Sequence, residues 1–253
     1  LTCLAPPALG ADDLTDVGYI DQAALANIPA FNKASAQVEA YKEQLDEQLK
    51  KAMNSAHGTV EQQRLLQAYS GKLEERRSAL LGPLLARTQT AVASVASSKN
   101  LSIVIDKRII ITGGQEITRN VVDLLTGIGD PVPPVSTPPP SEVGFVDHER
   151  IDKIPAMKAA MDGFTSYRSR ELQRAENAMR KARTASERQI LLKEYQKRLT
   201  DKQKSVIDPL LDRTRSAIAD VAGKKRLILV IDHGDVMYGG TDITGDVVRE
   251  LGG

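Results

Sequence analysis

The sequence predicts an α+β chain made of two tandem repeats. Each repeat is a small β body, an N-terminal strand plus a C-terminal β-hairpin, with a long projecting antiparallel α-helical hairpin and a short C-terminal helix. Three observations predict this. First, Val17-Gly18-Tyr19-Ile20-Asp21 returns as Val143-Gly144-Phe145-Val146-Asp147, and the echo continues without a gap to Ile243-Thr244 and Val247-Val248, at one offset of about 126 residues with about a third of positions identical. A period that long is a domain, not a solenoid unit. Second, the chain has no Trp, only 4% aromatic residues and many charged ones, a balance that suits long helices with thin cores. Third, short β-rich runs bracket long stretches whose apolar residues recur at three- and four-residue steps.

Residues 1–16 read as a leader remnant or a disordered N-terminus, because an apolar run around Cys3 ends in small residues before Asp12-Asp13. A lipid-modified Cys3 is a variant of that reading. As the only cysteine, Cys3 leaves no intrachain disulfide to form.

The first unit spans 17–128. Val17 to Asp21 reads as a strand. Ala23 to Ala26 fits one helical turn, and Pro29 fits the first position of a longer helix. Val38, Tyr41, Leu45, Leu49, Ala52, Met53 and Ala56 form its stripe. Gly58 is expected to end that helix in a left-handed conformation, with Thr59 and Gln62 as the capping box of the next. His57 lies at this tip. The returning stripe is Leu65/Leu66, Tyr69, Leu73, Leu80 and Leu84, and Pro83 is expected to kink it. An arm of roughly 25 residues is about 35–40 Å long. Leu101 to Asp106 and Ile109 to Thr112 read as a strand pair turning at Lys107-Arg108 and ending at Gly113-Gly114. Thr118 is placed to cap a last helix bearing Val121, Val122 and Leu125.

Residues 129–141 are Pro-rich and predict a semi-rigid spacer. The second unit, 142–253, repeats the plan. Pro155 opens the outgoing helix, and Thr184-Ala185-Ser186 marks the tip, with Ser186 and Gln189 as its capping box. Pro209 is its kink. Leu227 to Asp232 and Val236 to Tyr238 are its strand pair, turning at His233-Gly234-Asp235, and Thr244 caps its last helix.

Catalytic constellations are missing from this pattern. His57, His148 and His233 have no partner at metal-ligand spacing. Gly113-Gly114 and Gly239-Gly240 lack the context of phosphate loops, and Asp106 and Asp232 have no accompanying nucleophile. No enzyme activity, cofactor or metal is expected.

The order of V-G-[YF]-[IV]-D strand, Pro-opened helix, charged hairpin, Pro-Leu-Leu, V-I-D strand and Asp-Ile-Thr before a Val-Val helix resembles the Skp/OmpH family of periplasmic chaperones. The likeness covers 17–127 and 143–253. It implies a trimer whose strands form a common body and whose hairpins enclose unfolded outer-membrane proteins without ATP, in the periplasm of a Gram-negative bacterium. The duplication departs from the usual single unit, so three chains building two trimers in series are favoured over repeats that mix in one body, and an even-numbered arrangement in which the two repeats of one chain pair stays open.

The two arms differ in charge. Lys42 to Ser78 holds seven basic and six acidic residues, whereas Arg168 to Lys204 holds twelve and five. Arg168, Arg170, Arg174, Arg180, Lys181, Arg183, Arg188, Lys193, Lys197, Arg198, Lys202 and Lys204 carry that surplus of seven. As an electrostatic footprint it suits an acidic client, lipopolysaccharide or an anionic membrane surface. As a plain solvated helix face it needs no partner. Nucleic acid is not expected, because aromatic stacking residues do not interleave the bases. Met53, Met157, Met161 and Met179 offer adaptable apolar surface for an unfolded chain. The rival to a chaperone is a non-catalytic envelope scaffold whose hairpins contact a folded partner.

Overall fold

The computed structural model describes residues 15–56 and 58–253. Apart from Thr15 and Asp16, the expected leader lies outside the described residues, as does His57. Two compact units divide the chain. One runs to Pro140 and takes in Asp235–Gly240. The other comprises Ser141–Gly234 and Thr241–Gly253.

In the first unit, β1 (Val17–Ile20) leads through α1 (Gln22–Ala26) into the arm, α2 (Pro29–Ser55) and α3 (Thr59–Ser98). The chain returns as β2 (Ile103–Asp106), then β3 (Gln115–Glu116) and α4 (Thr118–Thr126). β1 pairs in parallel with both β2 and β3. Parallel neighbours need a crossover connection, and here the whole helical arm is that crossover. Strands covered by helices read as continuous apolar runs, which is why all four residues of Ile103-Val104-Ile105-Asp106 are buried. Gly18 lets Leu101 pack against β1, because a Cβ there would stand 2.5 Å from Leu101 Cδ1 and that side chain would have to shift. Helix bases close the core: Ala91, Val92, Val95 and Ala96 of α3 pack with Leu25, Ile28, Val121 and Leu125.

The second unit repeats these elements as β4 (Val143–Val146), α5 (His148–Asp152), α6 (Pro155–Lys181), α7 (Ala185–Val206), α8 (Asp208–Lys225) and β5 (Leu229–Asp232). After β6 (Val236–Gly239), which belongs to the first unit, come β7 (Thr241–Asp242) and α9 (Thr244–Glu250). β4 lies between β5 and β7, parallel to both.

Bond after bond recurs 126 residues apart. Asp21 N and Asp147 N each donate to a threonine Oγ1, Thr118 and Thr244, at 3.0 Å. Leu101 N bonds Ala96 O as Leu227 N bonds Ala222 O, both at 2.9 Å. Asn100 and Arg226 both turn at positive φ just before them. Gly144 meets Leu227 Cδ1 as Gly18 meets Leu101.

The expected β-hairpins do not form. Ile109–Thr112 is not a strand. The Asp106 carboxylate accepts from Arg108 N at 2.8 Å and winds Lys107–Ile109 into a 3-10 turn that leads the chain off the sheet. Val236–Gly239 is a strand, but it pairs antiparallel with β2 rather than with β5. The opening strand is therefore interior in the order β3-β1-β2-β6 and seals no edge.

The helix punctuation also differs from expectation. Gly58 has φ 99° and ψ 158° and is the N-cap of α3, so Thr59 is its first helical residue rather than its cap. The equivalent N-cap is Thr184, whose capping box is with Glu187, not Ser186 with Gln189. Pro83 is absorbed in a continuous 40-residue helix, whereas the chain breaks at Ile207 ahead of Pro209. Finally, the Pro-rich segment is tied to α3 of its own unit. Arg87 donates to Gly129 O at 2.7 Å, and the Ser97 and Ser136 hydroxyls lie 2.9 Å apart.

Candidate functional site

The second arm is built by α6 and α7, each drawn to the other by a narrow seam. Ala175 is buried there, with Tyr167, Ala178, Leu191, Tyr195 and Leu199 half-buried. One seam position breaks the apolar pattern: Glu171 is only 3% exposed. Its carboxylate accepts from Arg174 Nη1 at 2.6 Å on its own helix and from Arg198 Nε at 2.8 Å across the seam. Burial pushes the Glu171 carboxyl up, but the hydrogen bonds from Arg198 and Arg174, with their charges, outweigh it and hold it below its ordinary value. A buried carboxylate with two guanidinium donors is a satisfied group.

The twelve predicted basic residues thus fall into two sets. Arg174 and Arg198 serve Glu171, and Lys202 stands 5.7 Å from the centre of the Tyr167 ring, a cation–π contact. At the tip, Arg188 Nη2 donates to Ala182 O at 3.4 Å. Arg168, Arg170, Arg180, Lys181, Arg183, Lys193, Lys197 and Lys204 are exposed, and among the described residues none of their side chains has a carboxylate within ion-pair reach. Arg180 and Lys181 sit in the last turn of α6, where cations complement the helix dipole. Beside these cations, Leu172, Ile190 and Leu192 remain 43–55% exposed. The surface is therefore cationic with scattered apolar side chains. It suits weak, distributed contacts with an extended chain.

The first arm shares the frame but not the charge. Leu45 is buried where the second arm has Glu171. Arg76 lies 5.8 Å over the Tyr41 ring, at the positions equivalent to Lys202 and Tyr167. Tyr69 donates to Asp46 at 2.6 Å, a bond that raises the phenol above its ordinary value. Of the four methionines expected to offer apolar surface, Met157 is core, Met161 is 46% exposed and Met53 and Met179 are half-buried.

The other residues weighed as chemistry are structural. Asp106 is buried and accepts from Arg108 Nε at 2.8 Å. Asp232 accepts from Gly234 N at 2.7 Å and faces His148 Nδ1. His233 tilts against Phe145, with ring centres 5.2 Å apart. Among the described residues no cluster of His, Cys, Asp and Glu has metal-site geometry, and no helix is long and apolar enough to cross a membrane. Sequence reasoning missed Glu171. Its signal was present, since a glutamate interrupts the seam stripe between Tyr167 and Ala175 at the position of Leu45.

Residues 142–251 match the outer membrane protein (OmpH-like) family. The second unit is thus similar to this family. The matched span contains the whole basic arm and every strand of the second unit's sheet. Members of the OmpH-like family are periplasmic, non-enzymatic chaperones of the Skp type. No curated protein and no solved structure matches the chain. In this OmpH-like unit, so called for that similarity, the arm is joined to the sheet through α8, whose Thr214 is buried and donates to Leu210 O at 2.9 Å.

Proposed function

We propose that the chain is an ATP-independent periplasmic holdase that keeps unfolded outer-membrane proteins soluble by contacting them along its helical arms. The observation that carries this reading is the OmpH-like domain at 142–251, whose arm presents unpaired cations beside exposed Leu172, Ile190 and Leu192. Distributed contacts of this kind hold an extended chain without a pocket and without nucleotide. The residues 17–128 act as a second, nearly neutral unit of the same plan, and the cationic arm attracts acidic clients over a distance.

The test is dilution of a β-barrel protein from urea with the full chain present. Light scattering from aggregates should fall in proportion to added chain. Unchanged aggregation at stoichiometric excess favours the envelope scaffold instead. Replacing Arg180, Lys181, Arg183 and Arg188 with Ser should weaken client binding several-fold more at low salt than at high salt. Equal weakening at both argues against long-range attraction.

A further inference from the structure

The seam of the first arm is not filled along its whole length. Between α2 and α3 lies an open slot of about 140 Å³, walled by Leu45, Leu49 and Ala52 from one helix and Leu65, Ala68 and Tyr69 from the other. The two alanines leave the gap, since longer apolar side chains at those places would close it. The Tyr69 hydroxyl is committed to Asp46, so the ring is what Tyr69 adds to the wall. Lys72 completes the lining. It is exposed, and among the described residues its ammonium has no carboxylate within ion-pair reach.

The second arm carries charge at the same positions. Glu171, Glu194 and Arg198 stand where the first arm has Leu45, Ala68 and Lys72. Arg198 pairs there with both glutamates, at 2.8 Å and 3.8 Å. The apolar lining with a free cation beside it is therefore specific to the first arm.

Size and charge together select the occupant. A dry apolar cavity of about 150 Å³ accommodates one benzene ring. An unpaired ammonium next to such a ring is attracted to its negative face, whereas a saturated ring of the same size offers apolar contact alone. The same arm already uses this contact, with Arg76 5.8 Å over the Tyr41 ring.

We infer that the slot is a binding site for one aromatic side chain of an extended polypeptide, its ring held between α2 and α3 beside Lys72. The source of that polypeptide rests on the holdase reading, because unfolded β-barrel membrane proteins carry girdles of aromatic residues. The first arm then anchors rings, and the second meets charge.

Saturation-transfer NMR on the full chain tests it. The probe is a short Gly-Ser peptide with one central phenylalanine, compared with the same peptide carrying cyclohexylalanine. The phenylalanine peptide should bind, and the cyclohexyl peptide should bind about two- to fivefold more weakly. Ala68→Leu lengthens an exposed side chain into the slot and should abolish binding while the circular dichroism spectrum stays unaltered. Lys72→Gln changes an exposed residue and should erase the preference for the aromatic ring. The inference is wrong if the parent does not bind the phenylalanine peptide, if it binds both peptides equally, if a folded Ala68→Leu binds as the parent does, or if Lys72→Gln keeps the full preference. Suppression of aggregation is a separate readout. Suppression without peptide binding overturns the slot alone, and peptide binding without suppression supports the slot and overturns the holdase reading.

Discussion

At one seam position the first arm buries Leu45 and the second buries Glu171. Around Leu45 the structure needs nothing further, because apolar contact is complete in itself. Glu171 recruits Arg174 from its own helix and Arg198 from the facing one. Gln48 and Lys72 stand at those two places in the first arm. The comparison teaches that the surplus of basic residues in the second arm is not all outward field. Part of it is internal to the arm, where Arg174 and Arg198 satisfy the buried Glu171 carboxylate. What remains outside is the cationic surface proposed to meet clients.

The largest expected effect comes from transplanting the difference. Leu45→Glu places a carboxylate in a seam without its guanidinium partners and should destabilise the first arm by about 3 kcal/mol. Glu171→Leu should leave the second arm as stable or make it more so, since Arg198 can turn to solvent. Urea unfolding followed by circular dichroism measures both, and a loss of similar size in the two variants would remove the asymmetry.

Acid should separate the arms less strongly. The Glu171 carboxyl is held below its ordinary value, so its contribution is present above the unfolded value of about 4.3 and is lost as pH falls through the lower folded one. The parent should therefore lose more helix than Glu171→Leu between pH 5 and 2. Superimposable acid curves for the two proteins would show that the Glu171 pairs carry no net stability.

The smallest effect tests what the arms have in common. Arg76→Gln and Lys202→Gln each remove a cation from a tyrosine face and should cost about 0.5–1 kcal/mol in thermal unfolding. A loss confined to one arm would mean that only one of the two rings is used.

Much of the fold was legible because it depends on local chemistry. Pro29 and Pro155 open their helices as expected, and the strands at Val17 and Val143 and the last helices stand where the repeat pattern placed them, but Thr118 and Thr244 are the first residues of those helices and accept from Asp21 N and Asp147 N instead of capping them. The caps were read one step off. Gly58 and Thr184 both begin the returning helix, but only Thr184 has a side chain able to show it. Of the site, the cationic surplus was plain from the order of residues. Its division between Glu171, the Tyr167 ring and solvent was not, because that depends on which helix face turns inward.

The sequence by itself determined the elements, their recurrence at one offset and the contrast in charge between the arms. These follow from spacing, punctuation and counting, which act over a few residues at a time. Only the tertiary structure decided the strand partners. Val236–Gly239 has the same β-forming character whether it folds back on β5 or joins β2, since a backbone ladder is indifferent to how far away its partner lies in the chain. The choice depends on which edge is open and which glycine permits close approach. Those conditions exist only once both sheets are built.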